Sequence, residues 1–170
     1  MTVGLGTATA GGFVGLGIGS EARVDDDSGR FDSNGRTGRL MGGYSLPLAT
    51  GRISAEAAYT GFDVDRSGIT MDGSLLWLAA RYNFPLGDGF EALGRLGAQR
   101  TSLSADDGTL DSDGTGVLFG LGFEYRPKFK LALDLSFWVD FTYASATLEG
   151  PRLSTDITNH FFTLGASVGF

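Results

Sequence analysis

The chain has 170 residues, 28 glycines, 4 prolines and no cysteine, and its formal net charge is −7. This length predicts a single domain over residues 1–170. The lack of cysteine excludes disulfide bonds, thiolate metal sites and a cysteine nucleophile. The acidic balance argues against nucleic acid as a partner, because that partner requires a basic surface.

Apolar residues alternate with small or polar residues along most of the chain, and this period of two is typical of β-strands. Helical periodicity is absent, and no apolar run reaches the roughly 20 residues of a transmembrane helix. The pattern predicts eight strands, at residues 11–25, 35–46, 51–63, 69–84, 89–103, 115–126, 130–146 and 157–170.

Two kinds of connection alternate between these strands. Three are short and place a tyrosine before a proline, at Tyr44, Tyr82 and Tyr125. Four are longer and polar, at residues 25–36, 63–68, 105–114 and 149–156. Tight turns at one end and longer loops at the other are typical of an antiparallel up-and-down barrel in a membrane.

Aromatic residues gather where the predicted strands meet the short turns. Proline cannot join a strand ladder, so it marks the point where pairing stops, and aromatic rings at that height are typical of a membrane interface. Three ordinary hairpin turns are the alternative explanation. The residues predicted to form this aromatic girdle are Tyr44, Tyr82, Phe84, Tyr125 and Phe170.

The apolar side of the strands predicts the surrounding solvent. About thirty large apolar side chains share one phase of the alternation, whereas the interior of a closed eight-stranded barrel is only just wide enough to be filled by side chains. These side chains must therefore face outward, where only lipid accepts them. A soluble lipocalin-like barrel, with its apolar residues inside, is the disfavoured alternative.

The opposite phase carries glycines together with charges of both signs. Ionised groups held away from bulk water persist when they are paired and hydrogen-bonded, so these residues are expected to meet in the barrel interior. Arg100 falls on the apolar phase and is placed at the outer rim. The predicted interior charge network comprises Glu21, Arg39, Glu56, Arg81, Arg95, Glu124, Asp134 and Asp140.

Three segments and the last residue resemble a known family. They are Phe13–Gly19, Gly120–Tyr125, Leu131–Ser136 and Phe170, and together they resemble the OmpA-like and OmpX-like family of small outer-membrane barrels. The resemblance implies an eight-stranded barrel in the outer membrane of a Gram-negative bacterium, with short periplasmic turns, longer polar extracellular loops and a lumen plugged by salt bridges. It also implies that the outer-membrane assembly machinery reads Phe170. The final aromatic residue favours a stand-alone barrel over one followed by a periplasmic domain.

Several functions are compatible with this reading. A structural or surface-interaction barrel is favoured, and a narrow ion or solute channel is the main alternative. The expected partners are the lipid bilayer and lipopolysaccharide, and the expected oligomeric state is a monomer. A lipid-modifying enzyme is disfavoured, because the one histidine, His160, is expected at the rim and Phe162 stands where such hydrolases have a serine. We expect no catalytic, cofactor-binding or metal-binding residue. The acidic loop residues are interpreted as solvated rather than as a cation site.

Overall fold

The structure is a computed structural model that describes residues 10–20, 23–26, 36–66, 69–105, 111–127, 133–150 and 153–170. No helix within these ranges is long and apolar enough to cross a membrane. The described residues form nine strand segments: β1 (Gly11–Gly19), β2 (Arg23–Asp26), β3 (Thr37–Leu48), β4 (Gly51–Arg66), β5 (Ile69–Gly87), β6 (Phe90–Ala105), β7 (Asp111–Tyr125), β8 (Asp134–Gly150) and β9 (Leu153–Gly169).

The strands close into a ring. Each strand from β3 to β8 pairs antiparallel with the next one in the chain, and β1 pairs with both β3 and β9. The short segment β2 also pairs with β9, so it continues the wall position begun by β1. The described part of the chain is thus an all-β, eight-membered antiparallel barrel, as predicted, with its first wall strand in two pieces.

The structure corrects two of the predicted loops. β4 runs to Arg66 and β5 starts at Ile69, while β8 runs to Gly150 and β9 starts at Leu153, so both connections are only two residues long. Between β7 and β8, which was predicted to be a short connection, residues 128–132 lie outside the described residues. Strand pairing depends on backbone hydrogen bonds rather than on apolar side chains, so polar segments can extend the ladders beyond an apolar wall.

Large apolar side chains cover the outside of the barrel. The alternation along each strand sends one phase outward, and residues such as Leu16, Leu96 and Val117 are more than half exposed. The opposite phase is buried and contains arginines and acids as well as apolar residues. The barrel is therefore inside-out relative to a soluble protein, as the alternation predicts.

The interior has two unlike halves. We call the end at which β3, β5 and β7 finish the turn end, and the end at which β4, β6 and β8 finish the loop end. Charged groups fill the turn-end half, from Arg39 and Asp140 down to Arg126. Toward the loop end the buried side chains are apolar or neutral, including Leu75 and Leu118.

Trp138 packs across the seam at which the barrel closes. It lies on β8, and its indole reaches past β9 to β1, occupying space that Gly17 and Gly165 leave open. A Cβ atom on Gly17 would lie 2.5 Å from Cη2 of Trp138, and one on Gly165 would overlap the same ring. The indole Nε1 donates a 2.9 Å hydrogen bond to Oγ of Ser167. These glycines therefore let a large ring fill the seam without a steric clash.

Candidate functional site: the charged barrel interior

Asp140 on β8 anchors the deepest part of the interior network. Its carboxylate accepts hydrogen bonds of 3.0 and 2.8 Å from Nη1 of Arg39 and one of 2.8 Å from Nη2 of Arg95. Nη2 of Arg39 donates to Oγ1 of Thr142 at 3.0 Å. The two guanidinium groups and the carboxylate are fully buried, so this is a charge cluster removed from bulk water.

Glu56 on β4 links this cluster to Arg81 on β5. Oε1 of Glu56 lies 3.5 Å from Nε of Arg95, and Oε2 accepts a 2.9 Å hydrogen bond from Nη1 of Arg81. Arg81 also contacts the carboxylate of Glu124 on β7 through Nη2 and donates to Oδ1 of Asn83 at 2.9 Å. Arg81 therefore connects two acids that lie on different sides of the barrel.

Glu124 connects the network to the turn end. It accepts hydrogen bonds from Nη2 of Arg52 at 3.2 Å, from Nδ2 of Asn83 at 2.8 Å and from Nε of Arg126 at 3.0 Å. Nη2 of Arg52 and Nδ2 of Asn83 also donate to Glu91, each at 2.8 Å. The ion pairs thus run without a break from Arg39 to the open end of the barrel.

The charges of this network balance among the described residues. Five arginines face five carboxylates, so the network has no formal net charge. A buried charge costs several kcal/mol unless it is paired and hydrogen-bonded, and here each charged group has an opposite partner within 4 Å. The members are Arg39, Arg52, Arg81, Arg95, Arg126, Glu56, Glu91, Glu124, Asp134 and Asp140.

Aromatic rings surround the deepest arginine. The guanidinium carbon of Arg39 lies 5.3 Å from the ring centroid of Trp138 and 5.6 Å from those of Trp77 and Phe161. Arg95 lies 4.9 Å from the Trp77 ring. Such contacts favour a cation that has lost its water. The rings also separate the charged half of the interior from the neutral half.

The structure places the predicted network residues in three ways. One group is brought together in the buried network: Arg39, Glu56, Arg81, Arg95, Glu124 and Asp140. Asp134 joins the network only at its exposed edge, because β8 begins at this residue, its side chain is 71% exposed and it lies 3.7 Å from Arg126 at the barrel mouth. Glu21 lies outside the described residues.

Four network residues were missed by the sequence analysis: Arg52, Asn83, Glu91 and Arg126. Arg52 lies four residues before Glu56, and Glu91 lies four residues before Arg95, so both share the inward phase. Asn83 lies two residues after Arg81, and its place in that phase does not reveal its bonding partners. The period of two could therefore have found these positions. Arg126 lies two residues after Glu124 and within the predicted strand 115–126, so the same phase includes it, although β7 ends at Tyr125.

The five residues of the predicted aromatic girdle all lie toward the turn end. Tyr44, Phe84, Tyr125 and Phe170 are exposed on the outer wall, and the hydroxyl of Tyr82 donates a 3.0 Å hydrogen bond to the backbone oxygen of Thr50. Their function as a membrane-interface girdle stays a prediction.

The remaining candidate residues do not assemble into a catalytic or metal site within the described ranges. His160 lies on the outer phase of β9, with its ring 6.2 Å from that of Phe141. No group of three potential metal ligands occurs in the described part of the chain. Of the acidic loop residues, Asp113 is described with its side chain, and it accepts hydrogen bonds from Arg100 at 3.0 Å and Ser102 at 2.5 Å.

Residues 2–170 match the outer membrane protein beta-barrel domain family. The chain belongs to this family. It is accordingly embedded in the lipid bilayer of a Gram-negative outer membrane, and the apolar outer wall is its lipid-facing surface. No curated protein sequence matches the chain.

Solved outer-membrane barrels have the same fold. Neisserial surface protein A is 18% identical with a TM-score of 0.67, over 95% of this chain and 99% of that one. Ail, the attachment invasion locus protein of Yersinia pestis, is 21% identical with a TM-score of 0.62, over 94% and 99%. The outer membrane enzyme PagL is 14% identical with a TM-score of 0.53, over 90% and 97%. At these identities the similarity establishes the barrel fold shared by surface proteins and by an enzyme.

Proposed function

We propose that the protein is a closed, non-conducting outer-membrane barrel that presents its loop end to the exterior for structural or surface-interaction roles. The observation that carries this proposal is the continuous, charge-balanced network that joins β3, β4, β5, β6, β7 and β8 across the interior. A network of this kind fills the interior and ties opposite walls together.

Closure follows from the cost of opening the network. An ion that passes through must displace at least one guanidinium from its carboxylate, and breaking a buried pair costs roughly 3–5 kcal/mol. Trp77, Trp138 and Phe161 stand behind the deepest pair and leave apolar surface where an ion would need solvation. The balanced charges also provide no excess of one sign that would attract a permeant ion.

A surface role is favoured by the proteins that share the fold. Neisserial surface protein A and the attachment invasion locus protein of Yersinia pestis are a surface protein and an attachment protein by name, and their barrels match nearly the full length of this chain. We do not assign catalysis, although PagL shares the fold. His160 lies on the outer phase of β9, two residues before Phe162 rather than a serine nucleophile.

We further propose that the barrel works as a monomer and that the assembly machinery of the outer membrane reads Phe170. This side chain is 75% exposed, while its backbone nitrogen donates a 2.9 Å hydrogen bond to the backbone oxygen of Gly12. The ring is therefore accessible at the turn end after the seam has closed. Lipid and lipopolysaccharide are the proposed partners of the outer wall.

Planar-bilayer recordings test the closed lumen. The purified, folded protein should give no steady unitary conductance at moderate voltage, because every route through the turn-end half crosses the ion pairs around Asp140 and Glu124. An established open barrel recorded in the same bilayers is the control. Reproducible unitary steps that scale with salt concentration would contradict the proposal and favour a narrow channel.

A further inference from the structure

The apolar outer wall ends on β6 at Arg100. Going toward the loop end, the outward residues of this strand include Leu96 and Ala98, followed by Arg100 and Ser102. The Arg100 side chain is 62% exposed, and the strand register sets it between Leu76 on β5 and Thr115 on β7. A guanidinium therefore stands at the height at which the wall changes from apolar to polar.

Arg100 begins a row of polar side chains on the outside of the barrel. The register aligns Arg100 with Thr115, Thr115 with Thr147, and Thr147 with Asp156, across β6, β7, β8 and β9. We call these four residues the outer polar row; all four are exposed.

Along the same register, apolar side chains continue the row on the other side of Arg100: Leu76 on β5, Tyr59 on β4 and Leu40 on β3. The change from apolar to polar side chains along this register therefore occurs at Arg100.

A cleft lies beside Arg100. It has a volume of about 390 Å³ and is lined by Arg100, Asp113, Gly114, Thr115 and Thr147. Asp113 accepts one hydrogen bond from Nη2 of Arg100, and its other oxygen accepts from Ser102. Among the described residues this is the one ion pair of Arg100, so Nε and Nη1 are available to a ligand in the cleft.

The wall beneath the cleft is strongly apolar. Val117 follows Thr115 on the outward phase of β7 and Leu96 precedes Arg100 on β6, both more than half exposed, with Phe119 next to them. A ligand that fits both surfaces has an anionic or hydroxylated head and a hydrocarbon tail. In a bilayer that description is met by a lipid whose headgroup lies at this height.

We infer that the cleft beside Arg100 binds the phosphorylated headgroup of an outer-leaflet lipid, with an acyl chain lying on Leu96 and Val117. Arg100 donates to the phosphate, since guanidinium and phosphate geometries match, and Thr115 donates from the other side of the cleft. Two carboxylates lie beside the cleft: Asp113 accepts hydrogen bonds from Arg100 and Ser102, and Asp156 accepts one from Thr147. The inference rests on the proposed function: it assigns a binding site to the proposed lipid partner, and it requires the loop end to face the exterior.

The test compares lipid retention by folded protein in detergent, measured by native mass spectrometry. Wild type, Arg100→Gln and Arg36→Gln are incubated with phosphatidylcholine plus a lipid whose disaccharide headgroup carries phosphate, or with the dephosphorylated form of that lipid. Arg36 is also exposed but lies before β3, outside the cleft, which makes it a matched control. Wild type and Arg36→Gln should retain the phosphorylated lipid, and Arg100→Gln should retain about tenfold less, because a charge-assisted hydrogen bond is lost.

Two further arms identify the source of the binding. Asp113→Asn frees Arg100 from its carboxylate partner, so retention should stay the same or rise; a chelator and inorganic phosphate should leave the wild-type signal unchanged. The inference would be overturned if Arg100→Gln retained as much lipid as wild type, or if Arg36→Gln lost as much as Arg100→Gln. It would also be overturned if wild type bound the dephosphorylated lipid as well as the phosphorylated one, or if a chelator released the lipid. All variants must first show the heat-dependent gel shift of a closed barrel, which is expected because exposed pairs contribute little to stability. Conductance in planar bilayers would contradict the closed lumen of the proposed function, but it would not change the lipid retention measured here.

Discussion

Replacing Asp140 with asparagine is expected to lower the free energy of unfolding by about 3–5 kcal/mol, since it leaves buried guanidinium groups without their countercharge. The carboxylate is shared by Arg39 and Arg95, so one substitution removes the partner of two arginines. Arg95 retains the longer contact with Glu56 and the Trp77 ring, and Arg39 retains Thr142 and the surrounding rings. The asparagine has nearly the same shape, so the loss reports the charge rather than a cavity.

The measurement is denaturant unfolding of the barrel in lipid vesicles, followed by tryptophan fluorescence and by the gel shift between unheated and boiled samples. Asp134→Asn is the matched control, because this carboxylate is exposed and lies 3.7 Å from Arg126. Its substitution should cost less than about 1 kcal/mol. Equal losses in the two variants would mean that the buried pairs are no more important to stability than those at the rim.

Replacing Gly17 with alanine is expected to destabilise the closed barrel by about 1–3 kcal/mol, because a methyl group would collide with Trp138 at the seam. The added Cβ would lie 2.5 Å from Cη2 of Trp138 and 2.9 Å from Cγ2 of Thr163. Gly17 lies inside the ladder that pairs Phe13 to Gly19 of β1 with β9, so a displacement of the Trp138 ring or of β1 acts directly on this pairing. Thermal unfolding and the yield of heat-shifted protein after refolding measure the effect.

A second substitution separates steric overlap from other causes. Trp138→Phe removes the outer part of the indole, so Gly17→Ala should cost less in the Trp138→Phe background than in wild type. Gly165→Ala should not be rescued in this way, because its Cβ would also overlap the backbone oxygen of Leu16. Gly94→Ala is the control, since its Cβ meets only Cδ2 of Leu121 at 3.7 Å. Equal effects of Gly17→Ala in both backgrounds would exclude the indole as the cause.

The alternation along the chain was sufficient to predict the closed ring of eight antiparallel wall strands and the outward direction of its apolar face. About thirty large apolar side chains, including Leu16, Leu96 and Val117, share one phase, and so many cannot fit inside so narrow a barrel. The inward phase of Arg39 and Asp140 is also a local property, because side chains alternate between the two faces of every strand. Strand ends were less predictable: the polar segments before Arg66 and after Leu153 were interpreted as loops.

The contacts between inward-facing residues could be identified only from the closed barrel. Arg39 and Asp140 are 101 residues apart in the chain, and their contact depends on the stagger of strands on opposite walls, which no local pattern records. The same stagger brings Arg52 on β4 to Glu124 on β7, whereas Asp134, at the start of β8, lies at the mouth beside Arg126. The sequence by itself thus determined the face on which each side chain lies, because that depends on a period of two. The tertiary structure decided its partner, because that depends on ring closure and register.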